Sequence, residues 1–172
     1  MNSMLRDFPF FKKHLLNDVI KIYDDDLKLF LVASLRKIDY LARQSEEILV
    51  QLAYSCSGEI KEKGSKLYDM DEEYEDQVTN ELIIVFEGQI ELFLMMDAGT
   101  EFSLEKLPAG SIINPHNMLA KRKHSTNARF TMNTTFYYLK YNKLVDVAKQ
   151  YPEFKKTLIM QKGKATAYKS RD

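Results

Sequence analysis

The feature of this sequence that most restricts its fold is a change in the spacing of its apolar residues. Before residue 58 they recur at steps of three and four, which is the period of one helix face. From Glu59 to Lys140 they occur in short runs, several of them alternating, with turn residues between them, as in β-strands. From Tyr141 the helical period returns. The chain therefore predicts helices, then one β region, then closing helices.

Three helices are predicted ahead of the strands. The first begins near Phe11 and ends before three consecutive acids, and the second runs from about Leu27 to Lys37. Ser45 starts the third, because a serine hydroxyl caps a helix and the two glutamates after it suit the positive end of the helix dipole. Gly58 is predicted to end this helix.

The β region is predicted to contain about eight short strands. The segments read as strands are Glu59 to Tyr68, which a turn at Gly64 divides into two, Leu82 to Phe86, Gln89 to Met95, Glu101 to Lys106, Arg129 to Met132 and Thr135 to Lys140. This pattern predicts an α+β protein: an eight-stranded antiparallel β-roll or jelly roll with a helical N-terminal arm and C-terminal hinge and lid helices. We divide it into a helical arm or linker, residues 1–40, and a roll domain with its C-terminal helices, residues 41–172.

Composition excludes several classes of function. Lys and Arg number 25, as do Asp and Glu, so the net charge of zero gives no basis for nucleic-acid binding. A single cysteine, Cys56, cannot form an internal disulfide, which suits a reducing compartment. The apolar run from Leu82 to Phe86 is far too short to enter and span a membrane. We expect a cytoplasmic domain, which includes one on the cytoplasmic face of a membrane protein.

Two stretches contain residues that bind metals, and neither has the spacing of a known site. The segment from Asp69 to Asn80 is rich in acids, but it lacks the glycine and the terminal glutamate of a calcium-binding loop. His116 stands alone, whereas a cupin-type metalloenzyme needs a cluster of histidines and a glutamate. We predict no metal, no cofactor and no enzymatic activity, with the acidic segment facing solvent or a partner.

Taken in order, several segments resemble the cyclic nucleotide-binding domain family. LVASLRKIDYLARQSEEILVQLAYSC is similar to the family's helical lead-in, and ELIIVFEGQIELFL is similar to its strand–glycine–strand signature. LPAGS resembles the strand end before the phosphate-binding cassette, and FYYLKYNKLVDVAKQYPEF the last strand and hinge helix. The resemblance covers roughly Leu31 to Ile159. It implies a non-catalytic regulatory domain with cAMP or cGMP as its candidate ligand.

The resemblance places the ligand site in the segment from Gly110 to Ala128, which we call the cassette. In the family, an F-G-E motif and an arginine nine residues after its glutamate hold the ribose and the cyclic phosphate. The motif falls here on Ile113, Asn114 and Pro115, and the arginine position is His124. The candidate ligand-binding residues are Gly110, Asn114, Pro115, His116, Asn117, His124, Ser125 and Thr126.

The cassette departs from the family's chemistry at two positions. Pro115 cannot accept a hydrogen bond from ribose through its side chain, and His124 carries only a partial charge near neutral pH. A nearby cation would have to compensate, and the candidates are Lys121, Arg122, Lys123 and Arg129. The default expectation is that the basic residues from 121 to 123 form an exposed loop.

Two functions from different classes remain open. In the first, a nucleotide closes the cassette, and a hinge helix from about Leu144 to Gln150 moves a final helix, Glu153 to Lys164, over the pocket. In the second, a degenerate homology domain binds no nucleotide and acts as a protein-interaction or assembly module. Its pocket is then empty or filled by its own side chains.

The N-terminal helices provide the expected contact with a partner. We expect them to bind an effector protein, or a channel region, because Phe8 to Ile38 resembles the linker of cyclic-nucleotide-gated and related voltage-gated channels. Formation of a homo-oligomer is left open.

Overall fold

The structure, a computed structural model, describes residues 25–70 and 78–171, with side chains described through residue 167. The predicted helix from Phe11 and most of the acidic segment lie outside these residues. Helix α1 covers residues 25–36, close to the prediction. Helix α2 (Glu46–Tyr54) is capped by Ser45, whose Oγ accepts from the backbone N–H of Ile48 at 3.4 Å.

Within the described residues, eight strands form two four-stranded antiparallel sheets, which confirms the predicted roll. The strands are β1 (Ser57–Lys61), β2 (Lys66–Tyr68), β3 (Glu81–Glu87), β4 (Gln89–Met95), β5 (Glu101–Pro108), β6 (Ile112–Ile113), β7 (Asn127–Phe130) and β8 (Thr134–Lys140). The first sheet has the order β1-β8-β3-β6, and the second has the order β2-β7-β4-β5. The polypeptide therefore crosses between the sheets repeatedly.

Several elements differ from the prediction. Gly58 does not end α2 but lies in β1, where a Cβ atom would come within 2.6 Å of the Tyr137 ring. Strand β6 lies inside the cassette and is too short to produce a visible period. Strand β7 stops at Phe130 rather than Met132, and the next N–H, of Thr131, bonds to the carbonyl oxygen of Gln89 at 3.1 Å.

Strand β3 reads as a continuous apolar run because both of its faces are buried. Ile83 and Val85 belong to the core between the two sheets, together with Phe130 on β7. Leu82 and Ile84 belong to a second core, in which the helices cover the outside of the first sheet. Strands buried on both faces lose the apolar–polar alternation, so the run is explained by position.

The C-terminal helices join this second core. They are α3 (Pro115–Ala120) within the cassette, α4 (Tyr141–Ala148) and α5 (Pro152–Arg171). Helix α4 begins three residues earlier than predicted, and α5 starts at its proline, a residue well suited to the first turn of a helix. Phe154 is fully buried at the start of α5.

None of the described helices combines the length and apolar character needed to cross a bilayer.

An ion cluster stabilises the second sheet on the face opposite the between-sheet core. The Arg129 guanidinium lies 2.7 Å from Glu91 and 2.6 Å from Glu101, and it stacks over the Phe93 ring at 4.2 Å. The Glu91 side chain is only 8% exposed. The hydrogen bond from Arg129 lowers the pKa of Glu91 below its ordinary value of 4.5, although burial opposes the shift.

We predict that Arg129→Met destabilises the fold in a pH-dependent way. The substitution leaves the buried Glu91 carboxylate unpaired, so it should lower the free energy of unfolding by about 2 kcal/mol at neutral pH. Because the folded-state pKa of Glu91 is lowered, its stabilising contribution is present above pH 4.5 and is lost as the pH falls through the folded-state value. The difference between variant and wild type in urea unfolding should therefore shrink on acidification.

The matched control is Lys149→Met, which removes the same charge from an exposed pair 3.7 Å from Asp146. Exposed pairs contribute little, so this variant should unfold like the wild type at every pH. A stability difference for Arg129→Met that does not change between pH 7 and acid would contradict the role assigned to Glu91.

Candidate functional site

The cassette begins with a tight turn at Gly110, and its short helix, α3, ends in a second turn at Lys121. Gly110 has φ +90°, and its N–H donates to the carbonyl oxygen of Val85 at 2.8 Å, which holds the turn against β3. Asn114, at φ +63°, precedes α3, and Pro115 occupies its first turn. Lys121, at φ +49°, ends the helix after six residues. Helix α3 is thus fixed at both ends by left-handed backbone conformations.

The first turn of α3 is bonded to the loop between α1 and α2. The buried Tyr40 donates its hydroxyl to the carbonyl oxygen of Pro115 at 2.7 Å. Burial, and the nearby charge of Asp39, raise the pKa of Tyr40 well above its ordinary range, so the hydroxyl remains a donor. His116 Nε2 lies 2.9 Å from Asp39 Oδ1 on the surface.

The opposite side of α3 packs on the final helix. Met118 and Leu119 are buried in the same core as Phe154 and Leu158 of α5. Directly after α3, Arg122 approaches α5 with Nη2 3.4 Å from the carbonyl oxygen of Ala165. One short helix therefore contacts both the N-terminal segment and the C-terminal helix.

On the roll side, the arginine position of the cassette is covered by a tyrosine from β2. The rings of His124 and Tyr68 stack with centroids 3.7 Å apart and planes 11° from parallel. Burial raises the pKa of Tyr68, while the side chains of Thr126 and Asn114 beside its hydroxyl lower it. Burial also lowers the pKa of His124 below its ordinary 6.5. Burial of His124 therefore favours its neutral form.

A cavity of about 330 Å³ lies beside this stack. Its walls include the cassette residues Asn114 and His124, and strand residues Tyr68, Glu81 and Lys140. Thr79 also lines it, and Thr79 Oγ1 is buried without a hydrogen-bond partner in the described part of the chain. Buried polar atoms are rarely unsatisfied, so this hydroxyl favours a polar group as the occupant of the cavity.

The structure separates the eight predicted site residues into groups. Asn114, His124 and Thr126 meet around Tyr68 on the roll side. Pro115 and His116 contact the loop between α1 and α2, and the carbonyl oxygen of Asn117 accepts from the N–H of Arg122 at 3.1 Å. Gly110 forms the turn at β3, and Ser125 is exposed.

The cations predicted to compensate are directed elsewhere. Lys121 Nζ lies over the Tyr141 ring at 5.1 Å, Arg122 approaches α5, and Arg129 is held by its two glutamates. Lys123 is exposed, and its backbone pairs with Val78. Lys140 is the cation that lines the roll cavity in their place.

Sequence reasoning missed Tyr68, Glu81 and Lys140. All three lie at strand ends, where the polar–apolar alternation assigns a face but does not identify the strand that packs opposite. Glu81 of β3 is paired with Lys140 of β8. Burial raises the pKa of Glu81, and the positive charge of Lys140 partly offsets this increase. The only available signal was that Tyr68 and Lys140 close their predicted strands and that Glu81 directly precedes one.

Solved structures identify the fold. The N-terminal domain of a transcriptional regulator from Streptomyces coelicolor A3(2) superposes with a TM-score of 0.63, at 20% identity, over 80% of this chain and 90% of that one. A cyclic nucleotide-binding domain from Methylobacillus flagellatus KT gives 0.62, at 16% identity, over 86% and 80%. This chain has the cyclic nucleotide-binding domain fold.

A third structure agrees with this cyclic nucleotide-binding fold. The cyclic nucleotide-binding-like protein from Brucella abortus bv. 1 str. 9-941 gives a TM-score of 0.61, at 18% identity, over 69% of this chain and 97% of that one. No protein-family model matches the chain, and no curated protein matches it in sequence.

The described residues contain no group of three or more His, Cys, Asp or Glu side chains positioned to hold a metal ion.

Burial raises the pKa of the Cys56 thiol to about 12, so this cysteine is a poor nucleophile. Its Sγ lies 3.4 Å from the carbonyl oxygen of Leu52, as expected for a small structural residue near a helix end.

Proposed function

We propose that this chain is a non-catalytic regulatory domain that responds to a small ligand in the roll cavity. The observation that carries the proposal is the position of α3. It follows Asn114, which lines the cavity, and it contacts Tyr40 through Pro115 and α5 through Met118 and Leu119. A displacement of this helix is transmitted in both directions along the chain.

The physical mechanism is a population shift between two positions of the cassette. A ligand that binds one position more tightly favours that position by the difference in its two binding free energies. Tyr40 carries the change to the helices before the roll, and Leu119 and Leu158 carry it to α5. In this proposal the helices before the roll bind the effector, which is a protein or a channel region, at a surface outside the roll.

A cyclic nucleotide is the first ligand to test, because one of the three similar structures is called a cyclic nucleotide-binding domain and another a cyclic nucleotide-binding-like protein. Its affinity is expected to be low. Neutral His124 provides no fixed cation for the phosphate, and Pro115 provides no carboxylate for the ribose. Two lost charge-assisted hydrogen bonds amount to roughly 4 kcal/mol, which changes a micromolar dissociation constant to about millimolar.

Thermal unfolding with added nucleotide tests this proposal. A ligand at ten times its dissociation constant stabilises the folded state by about 1.4 kcal/mol, so about 10 mM cAMP or cGMP should raise the Tm by a few degrees. 5′-AMP at the same concentration controls for ionic strength and for general nucleotide effects. A folded sample whose Tm responds to neither cyclic nucleotide, or equally to 5′-AMP, contradicts nucleotide sensing.

We predict that His124→Arg raises the affinity for cAMP about tenfold or more. The guanidinium restores a charge-assisted contact with the cyclic phosphate, and such a hydrogen bond contributes about 1.5–3 kcal/mol. Titration calorimetry measures the change. The matched control is Ser125→Arg, which places the same charge on the adjacent exposed residue. Equal gains in the two variants would mean that overall charge, and not the cassette position, determines binding.

The Tyr68–His124 stack favours the second candidate, a domain that binds no nucleotide and acts as a protein-interaction module. In that case the aromatic pair permanently fills the space above the cassette. The variant Tyr68→Ala separates the two functions. Binding of cAMP by this variant alone would identify a self-occluded sensor, whereas no binding by either protein supports the interaction module.

A further inference from the structure

A second cavity, of about 420 Å³, lies outside the roll, in the cleft between α3 and α5. Its polar lining consists of His116, Asn117 and Arg122 from the cassette, Gln161 and Lys164 from α5, and Asp39. Ala120 and Ala165 provide apolar wall on the two sides. Its lining shares no residue with the roll cavity or the Tyr68 stack, so this cleft is separate from the roll cavity.

Arg122 is the residue that gives this cleft a chemical preference. Its Nε is buried and has no hydrogen-bond partner in the described part of the chain. The side-chain contact that the guanidinium does make is long, 3.4 Å from Nη2 to the carbonyl oxygen of Ala165. A guanidinium has five N–H donors in a planar fork, and at least the buried Nε–H of this one has no acceptor among the described residues.

The surrounding charges favour an anion. Lys164 adds a second positive charge from the opposite wall, and Asn117 and Gln161 add amide donors. The one carboxylate of the lining, Asp39, already has a partner in His116 at 2.9 Å. Arg and Lys together with amide donors match the oxygens of a phosphate group, and the alanines match the carbon skeleton of a small metabolite.

We propose that this cleft is a binding site for a small phosphomonoester, with Arg122 and Lys164 holding the phosphate from opposite sides. The bound molecule connects the cassette to α5. It therefore fixes the final helix in the position described here and opposes any ligand of the roll cavity that requires α5 to move. The site does not depend on nucleotide binding in the roll.

Titration calorimetry with ribose 5-phosphate tests the site, with ribose as the matched uncharged probe. Ribose 5-phosphate should bind, ribose should not, and inorganic phosphate should compete. Arg122→Gln and Lys164→Gln should each weaken binding about tenfold, the usual effect of removing one charged hydrogen-bond partner. Lys164 is exposed, so its substitution does not threaten the fold.

Two control variants make the outcome specific. Lys123→Gln removes the same charge from the exposed residue next to Arg122 and should leave the affinity unchanged. Tyr68→Ala alters only the roll cavity and should also leave it unchanged, which separates this site from the proposed nucleotide response. The proposal is overturned if ribose 5-phosphate does not bind, if Arg122→Gln binds as the wild type does, or if Lys123→Gln weakens binding to the same extent.

Discussion

Replacing Gly88 with alanine is expected to lower the free energy of unfolding by about 4 kcal/mol. Gly88 has φ +105°, a conformation that L-residues rarely adopt, at the junction of β3 and β4. An added Cβ would collide with Thr134 Oγ1 and lie 2.7 Å from the carbonyl oxygen of Asn133 and from Thr134 Cα. Two of these three atoms belong to backbone, so the collision cannot be relieved by rotating a side chain.

Gly99→Ala is the matched control, because Gly99 has φ +76° but a Cβ there would meet nothing within 4 Å. This substitution carries only the backbone strain, about 1 kcal/mol. Urea unfolding followed by circular dichroism gives both free energies. Similar losses of unfolding free energy in the two variants would show that backbone strain alone explains the effect of Gly88→Ala. The atoms of Asn133 and Thr134 would then move aside at little cost.

Phe154→Ala should have an effect of the same size, a loss of about 3–5 kcal/mol. The side chain is fully buried at the start of α5, in the core that also contains Leu35, Leu52 and Leu119. Truncation removes its transfer free energy and leaves a cavity where helices and the cassette meet. Because this ring anchors the N-terminal part of α5, the variant should also expose that helix to limited proteolysis.

Ile159→Ala provides the comparison on the same helix, because its side chain is 63% exposed. Exposed apolar residues contribute little, so urea unfolding and proteolysis of this variant should both resemble the wild type. If Phe154→Ala lost stability without any change in proteolysis, α5 would be held by contacts other than this anchor.

The strands and helix ends were predictable because their signals are local. Ser45 and Pro152 each mark a helix start through the chemistry of one residue, and β3 and β4 carry their apolar character within seven residues each. Resemblance to the cyclic nucleotide-binding family depended on the order of such segments. The same local reasoning misassigned Gly58 to a helix end. Gly58 lies in β1 opposite Tyr137 of β8, and its lack of a side chain leaves room for the Tyr137 ring.

The chemistry of the site was less predictable because it depends on pairings between distant parts of the chain. The sequence places Pro115 and His124 at the cassette positions, but it does not reveal that Tyr68 covers His124. It also suggests Arg122 and Arg129 as cations for the pocket, whereas each faces a different surface. The direction of a long side chain is determined by its neighbours, which only the assembled fold defines.

The Tyr68–His124 stack acts as an internal competitor for the roll cavity. Any molecule that needs the space of the tyrosine ring binds only the fraction of molecules in which the ring has moved aside, and its apparent dissociation constant rises by the inverse of that fraction. An aromatic pair contributes about 0.5–1.5 kcal/mol, so under the proposed function it would raise the ligand concentration needed for a response roughly two- to tenfold. Under the same proposal, substitution at Tyr68 should lower that concentration, because Tyr68 both stacks on His124 and lines the cavity.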